Sequence, residues 1–165
     1  MNEEVKLSPE VRAVLETADC NTGYEVPRED WESFPWRRYI SEIETIQNRI
    51  NTELNISLKR DKNVQDASYL DELFIYRNDA FLNDGIIVHT VQIGIRFSNF
   101  GKLYTIYASD ISDTNKFDVQ GIKRIVDSFG WTYVPAEELR KVTYDGKHKE
   151  LRGEVSWWIR FFDYV

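Results

Sequence analysis

The amino-acid sequence predicts an α+β fold, in which a mainly antiparallel sheet packs against two amphipathic helices and an aromatic C-terminal segment. Three observations predict it. Val91, Ile93, Ile95 and Phe97 alternate with Gln92, Gly94, Arg96 and Ser98, the period of two that marks a half-buried strand. Trp36, Tyr39, Ile40, Ile43, Ile46, Ile50 and Leu54 recur at the spacing of a single helical face. Val119, Ile122, Ile125, Val126 and Phe129 repeat that helical signature nearer the C-terminus. The chain has 165 residues, 42% of them hydrophobic and 30% charged, so a core-forming globular chain is expected rather than a disordered one. One domain spanning residues 1–165 suits that length.

The elements follow in order. Ser8-Pro9-Glu10 reads as a helix start, with a hydroxyl at the N-cap, proline in the first turn and an acid near the positive end of the dipole. Leu7, Val11, Val14, Leu15 and Ala18 fall on one side of that helix, and Asn21-Thr22-Gly23 is placed to end it. Val26-Pro27-Arg28-Glu29-Asp30-Trp31 and Val134-Pro135-Ala136-Glu137-Glu138-Leu139 share the pattern of a proline-initiated helical turn. The longest helix is expected from Pro35 to Leu54. Gln47 lies within its apolar stripe, where a core amide must be hydrogen-bonded. Arg60 to Ser68 is polar and reads as a loop.

Leu73 to Tyr76 reads as a strand, Asn83-Asp84-Gly85 as a turn, and Asn99 to Lys102 as a turn into Leu103–Tyr107. Joined by tight turns, these segments form a three-stranded antiparallel meander. Asn115 is placed to cap the second amphipathic helix, with Asp118 three positions on and Gly130 at its end. Trp131 to Val134 is a short added strand, and Lys141 to Glu154 is a polar loop. In Ser156–Val165 a helix groups Trp157, Trp158, Phe161, Phe162 and Val165 on one face, with Ser156, Arg160 and Asp163 opposite. The helix separates polar from apolar better than a strand does.

The sequence carries little that speaks for catalysis. It has no CxxC pair, no HExxH, no GxSxG, and no glycine-rich phosphate loop. The only histidines are His89 and His148; the first reads as structural and the second as part of a solvated loop. Cys20 follows Asp19, an acidic setting that disfavours the thiolate. Asp110 to Asn115 lacks the alternating oxygens, glycine and terminal glutamate of an EF-hand and reads as helix capping. The basic residues Arg140, Lys141, Lys147, Lys149 and Arg152, near Tyr144 and Trp157, form a small island that is either a solvated loop or a phosphate contact. No metal or cofactor is expected.

The charge is uneven. Residues 1–33 hold three basic residues against nine acidic ones, a net of −6, whereas the whole chain carries −7. Nucleic acid is an unfavourable partner for such a surface. The N-terminal residues lack the basic and apolar regions of a secretory signal, and no apolar run approaches membrane-spanning length. A cytoplasmic protein without membrane association is therefore expected. The function expected is a protein-binding module, of inhibitor or immunity type, that masks a basic partner. Glu25, Glu29, Asp30 and Glu32 would steer and Trp31 would anchor. The alternative is a small enzyme whose site is assembled from scattered carboxylates and one of the two histidines.

Overall fold

A computed structural model describes residues 6–19, 36–62, 64, 67–78, 81–84 and 86–164. Helix α1 spans Pro9–Ala18 and α2 Trp36–Glu53; strands β1 to β6 are Lys59–Lys62, Tyr69–Tyr76, Phe81–Asn83, Ile86–Val88, Val91–Ser98 and Leu103–Tyr107. Helices α3 (Ile111–Thr114) and α4 (Val119–Asp127), strand β7 (Thr132–Tyr133), and helices α5 (Ala136–Lys141) and α6 (Trp157–Phe162) complete the described chain. The fold is α+β, with one five-stranded sheet in the order β1-β2-β5-β6-β7. Its pairings are antiparallel except for β6 with β7, which is parallel. The expected meander is thus β2-β5-β6. The hairpin β3-β4 is a separate two-stranded ribbon inserted between β2 and β5, turning through Asp84 at φ 47°.

The stripe of α2 is buried as its spacing predicts: Ile43, Ile46 and Ile50 are fully enclosed. They meet Leu73, Ile93, Ile95 and Phe97 of the sheet and Ile122, Ile125 and Val126 of α4. Gln47 is satisfied, its Nε2 donating to the Leu58 carbonyl at 2.8 Å. Asn51 Oδ1 accepts the Leu58 N–H at 2.9 Å, so these two side chains hold both backbone groups of one residue. The chain turns between them through Asn55 at φ 52° and enters β1. Residues 60–62, expected in a loop, are therefore a strand. Lys59–Lys62 has no apolar alternation, and its extended state comes from pairing with β2 and from Arg60, whose Nη2 reaches Asp71 at 2.5 Å and the Ile40 carbonyl at 2.8 Å. The edge strand it makes is dressed with charge, which discourages further strand pairing.

The opposite sheet face is covered too, by α1, α5 and α6. Leu15, Leu103, Tyr107, Leu139, Trp157 and Phe161 belong to this second core. The C-terminal segment is a helix, as its wheel predicts, and Ser156 caps it by accepting the Ile159 N–H at 3.4 Å. One part of that wheel is corrected. Arg160 sits on the polar side of the sequence pattern but is completely buried, because its Nε donates to Asp19 Oδ1 at 2.9 Å. Helix α1 correspondingly ends at Ala18 rather than at Asn21–Gly23, with Asp19 as its C-cap.

Capping of α4 also differs from expectation. Asp118, not Asn115, is the N-cap, accepting the Gly121 N–H at 2.8 Å; Asn115 instead closes the short helix α3. Asp110 caps α3 through the Ser112 N–H at 2.8 Å, as the capping reading of that run requires. Among the described residues, no helix is long and apolar enough to cross a membrane.

Candidate functional site

Strand β6, helix α4 and strand β7 form a β-α-β unit, and the chain then turns through Pro135 into α5. In such units ligands gather outside the carboxyl ends of the parallel strands. A cleft of about 530 Å³ lies at that end of β6 and β7. Its volume falls in the range of roughly 300–1,000 Å³ usual for small-ligand pockets. Ile106, Tyr107 and Ala108 form its floor at the end of β6, and Tyr133, Pro135 and Ala136 line it from the β7–α5 turn. The turn into α4 supplies Asn115, Phe117 and Asp118, the first turn of α4 supplies Gln120, and Glu137 stands at the start of α5.

Local sequence chemistry positions these groups. Val134 is pinned beneath the cleft by its N–H to the Tyr104 carbonyl at 2.9 Å and by its own carbonyl, which accepts from Thr105 Oγ1 at 2.8 Å. The turn carrying Asn115 and Phe117 follows α3, where Asp113 meets Lys116 at 2.5 Å and Arg77 at 3.4 Å. The hydrogen bond from Lys116 holds the Asp113 carboxyl below the usual carboxylate range. Tyr107 is buried, its hydroxyl donates to Glu72 Oε1, and burial pushes its ionisation up. Its ring lies where a side chain on Gly94 would stand, so that position in β5 admits only glycine without displacing it. Tyr133 is also raised, again chiefly by burial. Lys123 Nζ lies 3.9 Å from the Tyr133 ring centroid.

Among the described residues two charged groups line the cleft, Asp118 and Glu137, and both are acidic. Glu137 pairs with Lys141 at 3.3 Å, both side chains being more than half exposed. Among the described residues, no group of three or more His, Cys, Asp or Glu side chains is placed to hold a metal ion.

No protein-family model matches the chain, and neither a curated protein nor a solved structure matches it. The geometry therefore stands alone.

The residues expected from the sequence to meet a partner, Glu25, Glu29, Asp30, Trp31 and Glu32, lie outside the described residues, as does Cys20. The histidines do not converge. His89 is exposed and stacks on Tyr76, with ring centroids 5.0 Å apart. His148 is buried, not solvated: its backbone N–H donates to Tyr144 Oη at 3.0 Å and its Nε2 lies 3.2 Å from Arg160 Nη2. Tyr144, with its hydroxyl bound to Asp19 at 2.5 Å, is pushed up to about 12 by burial.

The basic residues of the island, Arg140, Lys141, Lys147, Lys149 and Arg152, stay exposed at the surface, and its two arginines make local contacts. Arg140 stacks over Trp158 at 4.3 Å and Arg152 donates to the Gly146 carbonyl at 2.5 Å. Tyr144 and Trp157 belong to the core and so offer no stacking platform. Acids adjacent in sequence have separate partners: Asp71 meets Arg60 and Glu72 meets Arg96 at 3.1 Å, while Glu137 meets Lys141 and Glu138 accepts the Ser8 N–H at 3.0 Å. Sequence reasoning overlooked the cleft residues Phe117, Tyr133 and Gln120. The signal available for them was the proline-initiated turn Val134–Leu139 directly after a short strand, which marks a strand's carboxyl end.

Proposed function

We propose that this protein is a binding module for a basic protein partner, with the acid-rich N-terminal residues supplying the attraction. The observation that supports this reading is where the unbalanced charge lies. Residues 1–33 carry a net of −6, and the remaining chain, with eighteen basic against nineteen acidic residues, only −1. The buried ionic groups of the described body are used internally, Asp19 by Arg160, Asp71 by Arg60 and Glu72 by Arg96. Six of the nine acids of residues 1–33 lie outside the described residues; of the other three, Asp19 meets Arg160 and Glu16 meets Arg12. Charge of one sign concentrated in one segment raises encounter rates with a partner of the opposite sign. Trp31 among Glu25, Glu29, Asp30 and Glu32 has the composition of an aromatic anchor ringed by steering charge.

The test is a paired capture from the native cell. Wild-type protein and a variant with Glu25→Gln, Glu29→Gln, Asp30→Asn and Glu32→Gln are used as baits, and the retained proteins are identified by mass spectrometry. The reading expects a basic protein retained by the wild type and lost from the variant. Identical retention by both baits would remove the acidic segment from the account.

A further inference from the structure

The cleft at the carboxyl ends of β6 and β7 has a lining that selects among ligand classes. A helix N-terminus facing a cleft ordinarily favours an anion. Here the α4 N-terminus is already met by a carboxylate, since Asp118 Oδ1 accepts the Gly121 N–H at 2.8 Å. Glu137 adds a second negative group from the first turn of α5, and among the described residues neither lysine nor arginine lines the cleft. A phosphate or carboxylate would therefore meet repulsion. The rest of the described lining joins apolar and aromatic residues, Ile106, Phe117, Val119, Tyr133 and Pro135 among them, to the uncharged polar side chains of Thr114, Asn115 and Gln120. Aromatic faces attract cations, and the Tyr133 ring already takes the Lys123 ammonium at 3.9 Å from its centroid. The Glu137–Lys141 pair is exposed at both ends, so it contributes little and competes weakly with an incoming cation.

We propose that this cleft binds an organic cation, a primary ammonium or guanidinium carried on a short apolar stem, with Asp118 and Glu137 taking the charge and the aromatic wall taking the stem. The proposal stands on the cleft alone and does not require the acidic N-terminal residues to bind anything. The same chemistry has two sources, a free amine or the lysine or arginine side chain of a protein.

The experiment is a titration followed by backbone amide NMR shifts. Cadaverine represents the free amine, and N-acetyl-lysine methylamide and N-acetyl-arginine methylamide represent side chains. N-acetyl-norleucine methylamide and N-acetyl-citrulline methylamide are the uncharged controls. Saturable shifts are expected at Ala108, Asn115, Gln120, Tyr133 and Ala136. Glu137→Gln and Asp118→Asn should each weaken binding about tenfold, as loss of a charge-assisted contact does. Asparagine still caps a helix, so Asp118→Asn keeps α4 in place, and its unperturbed spectrum verifies this. Tighter binding of cadaverine would support a free amine as the source, and tighter binding of a blocked amino acid a protein side chain. Equal binding of charged and uncharged ligands, shifts mapping outside the cleft, or no saturable shift with any cation would overturn the proposal.

Discussion

Arg160 lies inside the molecule because Asp19, far earlier in the chain, meets its guanidinium at 2.9 Å. Tyr144 Oη and the Lys147 N–H satisfy the other Asp19 oxygen, and the guanidinium also stacks 4.1 Å from the centroid of Phe100. Removing one partner of such a buried pair leaves the other uncompensated, whereas replacing both with apolar groups is far milder. Asp19→Ala should therefore destabilise the fold by about 3–5 kcal/mol in urea denaturation, and the double replacement Asp19→Leu with Arg160→Met by much less. A second residue governs pH dependence. Burial pushes the Asp71 carboxyl up to about 6, against the pull of Arg60. Its unfolded-state value is near 4, so the folded protein binds this proton more tightly. The stability it contributes is fully present below about pH 4 and is lost as pH rises through about 6. Asp71→Asn should flatten the change in urea midpoint across that window; an unchanged slope would assign the titration elsewhere. Neither pairing was legible from local pattern. A helical wheel places Arg160 with Ser156 and Asp163 on the polar side, and only the fold brings Asp19 to it.

At the scale of elements, periodicity was a reliable guide where one face is buried. It located α2 to within a residue or two at each end, β5 throughout, and α6 as a helix. It did less well where the cause lies in a partner. Strand β1 has no apolar signature, so its pairing with β2 could not be read from Lys59–Lys62 alone. The stretch from Lys141 to Glu154 looked like a solvated loop, yet Tyr144, His148 and Leu151 turn inward to meet α1 and α6. The cap of α4 illustrates the same limit: Asn115 and Asp118 are both competent residue types, and the preceding helix α3, which takes Asn115 as its C-cap, decides between them. Asp118→Ala should cost about 0.5–2 kcal/mol, the usual loss for an N-cap, while Asn115→Ala should be close to neutral in thermal unfolding. The reverse order would restore Asn115 as the cap.

Across the whole molecule, two cores on opposite faces of one sheet hold the described body together. The cleft on that body was legible only in part. The proline-initiated turn that forms one wall is plain in the sequence, but that α4 returns the chain to β7 parallel to β6 is not, and this crossover opens the cleft. The surplus charge, by contrast, is read directly from the sequence, since it sits in the first 33 residues. If that surplus recruits a basic partner, attraction over distance must govern how fast the two meet. Salt shortens the reach of such attraction, from about 30 Å at 0.01 M to about 10 Å at 0.1 M ionic strength. The most direct measurement is the association rate constant with the captured partner, at those two ionic strengths, for the wild type and for the variant with Gln or Asn at 25, 29, 30 and 32. The account predicts a wild-type rate that falls steeply with salt, a variant rate that is slower and less salt-sensitive, and a dissociation rate that changes less. Wild-type association that ignores salt, or a variant that associates as fast, would contradict it.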